Sequence, residues 1–191
     1  MCRQLFTPII GSMAKQTYLL NPRYLKAIVF GANDGIVTTF AVVAGVAGAG
    51  LSPSVIIILG IANMVADGIS MAVGDFLGER SEWQLEHQRH GTKIPARLWM
   101  SGLLTFGAFV SAGSLPLMPY FLRWIGLPVP LENQFGLSII ATACTLFAVG
   151  SMRSIILHRV WWKNGLEMLF VGSIAATAAY VLGVLIEQAV R

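Results

Sequence analysis

The sequence predicts an all-α integral membrane protein with five transmembrane helices, and three observations support this fold class. Only 12% of the 191 residues are charged, about half the share found in an ordinary soluble domain. Hydrophobic residues make up 55% of the chain, and the mean hydropathy is +0.71. Five continuous apolar stretches each reach the length of about 20 residues that a helix needs to cross a bilayer. This composition excludes a soluble globule, a disordered chain and, with 2 cysteines, a disulfide scaffold.

The apolar stretches are continuous rather than alternating, which favours membrane helices over the strands of a barrel. Ser52 and Pro53 mark the start of the second helix, because a serine caps a helix and a proline fits its first turn. The turn before them is so short that the first two helices must be antiparallel neighbours. The predicted spans run from about Tyr24 to Ala49, from just after Pro53 to Gly78, from Ala96 to Met118, from Phe135 to Leu157 and from Gly165 to Val190. Four prolines predict the loop after the third span: Pro116, Pro119, Pro128 and Pro130.

The positions of the basic residues predict the topology. We divide the chain into an N-terminal tail (1–22) and a single five-helix transmembrane domain (23–191). Eleven of the 13 Lys and Arg residues precede or begin the first span or lie in the connections after the second and fourth spans. The positive-inside rule therefore places the N-terminus in the cytoplasm and the C-terminus on the opposite side. The compact length favours a bacterial cytoplasmic membrane, and a vacuolar membrane is the alternative. Because the bases are divided among separate loops, we expect no nucleic-acid partner.

Two acidic residues fall inside predicted spans. Asp34 lies about 16 Å into the first helix, and Asp67 lies about 20 Å from the far end of the second. Since the two helices are antiparallel neighbours, both carboxylates are expected at similar depth. An ionisable side chain in hydrocarbon costs several kcal/mol and is by default a sign of function.

The second helix carries a stripe of possible metal ligands. At 100° per residue, its members fall within an arc of about 120°: they are Asp67, Met71, Asp75, Glu79, Glu82 and Glu86. The stripe begins inside the membrane and is expected to end in the cytoplasm, where His87 and His90 flank it. Carboxylates suit divalent cations, and a thioether at membrane depth favours Fe²⁺ or Mn²⁺ over Mg²⁺ or Ca²⁺.

Most of these residues also have a plainer interpretation. Glu79, Glu82 and Glu86 alternate with bases, which is equally typical of a solvated helix face. Met71 fits ordinary packing, and Asp75 fits a hydrated position at the membrane surface. Only the two acids at mid-depth lack such an explanation, since hydrocarbon offers them no solvent.

No catalytic constellation is present in the sequence, so an enzyme is not expected. The chain has no His-Glu-x-x-His helix, no Gly-x-Ser-x-Gly elbow and no phosphate-binding loop. We therefore predict no cofactor.

Three segments resemble the vacuolar iron transporter family. The segment FGANDGIVTTFAVVAGV (residues 30–46) resembles the first helix of that family, and ADGISMAVGDFL (66–77) resembles its second helix. The segment that begins GLEML at residue 165 is similar to its fifth helix. The resemblance covers nearly the whole chain after residue 22.

The resemblance implies a five-helix homodimer that exports cytosolic Fe²⁺, and often Mn²⁺, in exchange for protons. In the family, helices one and two line the metal path at the dimer interface. Asp34 and Met71 match the aspartate and methionine of that path. A further family acid aligns with Asn63, where an amide replaces it, and Asp67 is then expected to take its place.

One departure from the family concerns the connection between helices two and three. Family members usually carry a Glu-rich helical metal-binding domain there, whereas only residues 81–96 separate the two helices in this chain. The alternative function is therefore a non-transporting membrane scaffold or metal sensor that kept the transporter fold.

Overall fold

The computed structural model describes residues 22–86, 95, 97–156 and 160–190. Its five long helices are each long and apolar enough to cross a membrane, and no strand occurs among the described residues. The predicted all-α class with five spans is therefore confirmed, while residues 1–21 of the predicted tail lie outside the described residues. The helices are α1 (Pro22–Gly48), α2 (Pro53–Glu86), α3 (Leu98–Trp124), α4 (Gln134–Ile156) and α5 (Trp161–Val190), with a 3₁₀ turn at Leu131–Asn133.

The second helix is longer than a membrane requires. Its 34 residues correspond to about 51 Å of helix, against a hydrocarbon core of about 30 Å. The helix starts at Pro53, as expected, and continues unbroken through the acidic segment to Glu86. The side of the membrane on which this segment projects stays a prediction from the distribution of basic residues.

The helices pack around α1, which contacts all four other long helices. Within the described residues, α2 packs only against α1 and α3. Its remaining surface is apolar and exposed, and includes Ile58, Val65, Ile69 and Val73. This surface suits contact with lipid tails or with another membrane helix.

Glycines bring the backbones of α1 and α3 into direct contact. A Cβ atom added at Gly31 would lie 2.5 Å from the carbonyl oxygen of Thr105, and one added at Gly35 would collide with the carbonyl oxygen of Phe109. Close approach through small residues is a common way for membrane helices to pack, because dispersion forces replace the hydrophobic effect there. The glycines on either side of Asp34 therefore serve helix packing.

The predicted position of two prolines is wrong. Pro116 and Pro119 lie inside α3, which continues to Trp124 rather than ending near Met118. Both prolines are buried, and the neighbouring Leu117 belongs to a core cluster with residues of α1 and α2. Contacts with neighbouring helices can stabilise a proline within a membrane helix, and here the Ser138 hydroxyl of α4 donates a 2.6 Å hydrogen bond to the Pro116 carbonyl. Tertiary packing therefore outweighs the local tendency of proline to end a helix.

The contact between α1 and α3 gives a stability prediction. We expect Gly31→Ala to destabilise the protein by about 1–3 kcal/mol, because the added methyl group overpacks a backbone contact. The measurement is the thermal unfolding temperature of the full chain in detergent. Gly74→Ala is the matched control, since nothing lies within 4 Å of its added Cβ; equal unfolding temperatures for the two variants would contradict the packing argument.

Candidate metal path along α1 and α2

The two acids of the apolar spans lie near each other, Asp34 on α1 and Asp67 on α2. Asp34 and Asp67 are both half-buried, and their carboxylates are close enough for their charges to interact. The Asp34 carboxylate has no hydrogen bond or ion pair with any described residue; only its backbone carbonyl is bonded, by the Thr38 hydroxyl at 2.7 Å. A half-buried carboxylate with no partner is costly, and a second carboxylate nearby increases the cost. A cation placed between them would remove both penalties.

An amide holds one oxygen of Asp67. The Asn63 side chain, one helical turn earlier on α2, donates a 2.6 Å hydrogen bond to Asp67 Oδ2. The bond fixes the orientation of the carboxylate and leaves Oδ1 without a partner among the described residues. The Asn63 carbonyl oxygen is also available as a neutral metal ligand.

Met71 follows one turn after Asp67 on the same face of α2 and is also half-buried. The amide, the carboxylate and the thioether thus succeed one another at four-residue intervals along α2. No group of three or more His, Cys, Asp or Glu side chains converges within residues 22–86, 97–156 and 160–190. What the structure brings together here is a pair of acids and an amide bonded to one of them, with Met71 one turn further along α2.

Asp75 has a different environment from the one expected. Its Oδ2 atom accepts hydrogen bonds from Ser101 Oγ at 2.9 Å and from Thr105 Oγ1 at 2.6 Å, both on α3. The two hydroxyl-bearing residues are 1% and 0% exposed. Asp75 therefore connects α2 to α3.

Sequence reasoning missed Ser101 and Thr105. The available signal was two hydroxyl residues four positions apart in an apolar helix, which places them on one face. Hydroxyls in such helices most often bond to their own backbone, so the sequence did not identify the carboxylate as their acceptor.

A polar cavity of about 190 Å³ lies beyond Asp75, at the end of the bundle where α1 begins. Its acidic lining comes from Asp75, Glu79 and Glu82 of α2, and its basic lining from Arg23 and Lys26 of α1. Gly74 and Gly78 also line the cavity, and a Cβ added at either would meet nothing within 4 Å. These two glycines leave space beside the acids, unlike those of α1.

The acidic stripe therefore divides into parts with different surroundings. Asp67 lies near Asp34, with Met71 one turn further along α2, whereas Asp75, Glu79 and Glu82 line the cavity. Glu86 is exposed and lies outside the cavity lining. His87 and His90, expected at the outer end of the stripe, lie outside the described residues.

Comparison with known proteins gives one family. The family model described as the VIT family matches residues 25–93 and 87–184. The vacuolar iron transporter of Toxoplasma gondii is 28% identical over 229 aligned positions, which cover 87% of this chain and 76% of the relative. Vacuolar iron transporter 1 of Arabidopsis thaliana is 23% identical over 221 positions, with 86% of each chain covered. Vacuolar iron transporter homolog 3 of Arabidopsis thaliana is 36% identical over 69 positions, with 36% of this chain and 34% of the relative covered.

The alignments also bear on the connection between α2 and α3. Those with the first two relatives contain 229 and 221 positions, more than the 191 residues of this chain, so both relatives carry stretches that this chain lacks. The two parts of the family match meet at residues 87–93, between α2 and α3. Both findings agree with the shortened connection that the sequence indicates.

The bonds to Asp75 give a second prediction. Asp75→Ala leaves the buried Ser101 and Thr105 hydroxyls without their acceptor, so we expect it to be less stable than Asp75→Asn by about 1–3 kcal/mol. The asparagine variant is the matched reference, since it keeps an oxygen acceptor and, like alanine, removes the charge. Chemical or thermal unfolding in detergent measures the difference; an alanine variant as stable as the asparagine variant would show that these bonds do not hold α2 to α3.

Proposed function

This chain belongs to the VIT family, and from that premise we propose that it is a membrane transporter that moves a divalent transition-metal ion, Fe²⁺ or Mn²⁺, out of the cytosol in exchange for protons. The observation that carries the proposal is the pair of half-buried carboxylates, Asp34 and Asp67, at the contact between two apolar helices. The names of the relatives, vacuolar iron transporters, support iron as the substrate.

The ligand types support a transition metal over an alkaline-earth ion. Carboxylate and amide oxygens would bind either class, but the Met71 thioether is a soft ligand that Mg²⁺ and Ca²⁺ do not use. In the proposed site, Asp34 and Asp67 bind the ion, Met71 contributes sulfur, and Asn63 orients Asp67.

The charge of the site supports coupling to protons. Two ionised carboxylates neutralise one divalent cation, and two protons neutralise the same carboxylates when the ion leaves. A net charge in a low dielectric costs free energy. The metal-bound state and the protonated state are therefore each favoured when they are neutral. Metal binding therefore releases protons, and we propose an exchange of two protons for one metal ion that moves no net charge.

The polar cavity serves as the cytosolic entrance in this proposal. Its three acids attract a cation, and the stripe leads from them past Met71 to the acid pair. Because this chain has a short connection where its relatives have additional residues, Asp75, Glu79 and Glu82 take over the capture of metal. The distribution of basic residues supports a cytoplasmic location for this end, with the protein in a bacterial cytoplasmic membrane or a vacuolar one. The exposed apolar face of α2 suits a homodimer.

The shortened connection also favours a second candidate, a metal sensor or scaffold without transport activity. Such a protein would bind the metal at the same acids but would move none across the membrane. A flux measurement on sealed vesicles separates the two candidates, since both predict metal binding and only one predicts flux.

The first functional prediction concerns Asp34. Asp34→Asn keeps the size of the side chain and removes its charge. We expect Fe²⁺ flux into vesicles to fall by at least about tenfold, because the ion loses a charged ligand in a half-buried site. Glu132→Gln is the matched control, because Glu132 is an exposed acid in the 3₁₀ turn. Flux is measured with a fluorescent metal indicator, with and without a pH gradient.

Several results would contradict parts of the proposal. Absence of Fe²⁺ and Mn²⁺ flux in the wild type contradicts transport, and normal flux in Asp34→Asn contradicts the site. Flux that changes strongly with membrane potential at constant pH contradicts the neutral exchange of two protons for one ion.

The second functional prediction concerns the entrance. We expect Glu79→Gln and Glu82→Gln to raise the metal concentration at half-maximal flux by a factor of about two to five, since partly exposed charge interactions contribute about 0.2–1 kcal/mol. Glu86→Gln is the matched control on the same helix and is expected to change little, because Glu86 lies outside the cavity. The same small effect for all three variants would favour a solvated helix face with no role in capture.

A further inference from the structure

A second cavity at the same end of the bundle opens between α1, the end of α4 and the start of α5. It has a volume of about 460 Å³, within the range of about 300–1,000 Å³ that is typical of small-molecule sites. It shares Lys26 with the polar cavity but none of the acids. We refer to it as the basic crevice, and its lining includes Leu25, Lys26, Val29, Phe30, Arg153 and Met168.

Two bases from different helices converge on the basic crevice. Lys26 comes from α1 and Arg153 from the last turn of α4, and both are exposed. Neither forms an ion pair with an acidic residue in the described part of the chain. No acid lines the crevice, so its charge is complementary to an anion.

The rest of the crevice is apolar and extends into the membrane-spanning part of the bundle. Leu25, Val29 and Phe30 follow one side of α1, and Phe30 remains 56% exposed. The crevice reaches Asn33, which lies about 10 Å further along α1 than Lys26. A ligand that fits must therefore combine an anionic head with an apolar chain.

We propose that the basic crevice binds an anionic phospholipid. The Lys26 ammonium and the Arg153 guanidinium hold the phosphate, for which a guanidinium offers paired donors, and one acyl chain lies along Val29, Phe30 and Met168. Basic pockets between transmembrane helices are known to recognise anionic lipid headgroups. A zwitterionic lipid carries a positive group next to its phosphate and is bound less well.

Native mass spectrometry of the full chain, purified in detergent and titrated with phosphatidylglycerol or phosphatidylcholine, tests the proposal. We expect the wild type to bind phosphatidylglycerol more tightly than phosphatidylcholine. Arg153→Gln is expected to weaken binding of phosphatidylglycerol about fivefold, the contribution of one base near an anionic lipid, and Arg153→Lys to keep most of it. Lys163→Gln is the matched control and is expected to change little, because Lys163 is an exposed base of α5 that stacks on Trp162 outside the crevice.

A second variant separates the crevice from general attraction to a basic surface. Val29→Trp keeps both bases and fills the apolar part, so it is expected to weaken binding as much as Arg153→Gln does. Unchanged binding in either variant, or equal affinity of the wild type for the two lipids, overturns the proposal. The proposal is also overturned if the wild type is a dimer that binds no lipid and if this dimer dissociates in the Val29→Trp variant. A second copy of the chain would then fill the crevice. Unfolding temperatures of the variants in detergent confirm that each is folded.

Discussion

The structure depends on the apolar surroundings of its five helices, because every backbone polar group inside a membrane must be satisfied within the protein. Helices satisfy the backbone, and several hydroxyls bond to the carbonyl four residues earlier, as Thr142 does to Ser138 at 2.7 Å. Carboxylates are harder to satisfy. Asp75 has two hydroxyl donors on α3 and Asp67 has one amide, whereas the Asp34 side chain has no partner among the described residues. This difference separates an acid held by the fold from an acid available to a cation.

The close packing of α3 against α1 and α2 brings its hydroxyl donors within hydrogen-bond distance of Asp75. Because Gly31 and Gly35 let the α1 backbone contact α3, and Gly102 lets α3 contact the backbone of α2 at Ala72, the three helices are held together tightly. The same helix then supplies the hydroxyls for Asp75 on its α2 side. Small residues in this bundle therefore determine where the acids lie, although they bind nothing themselves. Gly74 and Gly78 act in the opposite way, since they leave the polar cavity open.

The sequence was sufficient for features set by composition and short-range pattern. It predicted five helices, the short turn after α1 and a second helix that extends beyond its apolar span, because hydropathy and helical periodicity determine these. It was wrong about Pro116 and Pro119, whose positions inside α3 depend on neighbouring helices. It also missed the partners of Asp75, because the rotation of α3 relative to α2 follows from packing between helices distant in sequence. Periodicity shows which residues share a face, but it does not show which helix that face contacts.

The Asn63–Asp67 bond shows how a change of residue type can alter a site without removing it. The resemblance aligns Asn63 with a family acid, so an acid at this position would place three carboxylates around one divalent ion and leave the site negative. With an amide at this position, the site has two carboxylates. The Asn63 amide orients one of them, that of Asp67, through a hydrogen bond of 2.6 Å. A buried site whose charge balances that of its ion needs no additional protons or counter-ions to become neutral. In the exchange proposed above, the amide would therefore favour two neutral states: it orients Asp67, while Asp34 remains without a side-chain partner in the described chain.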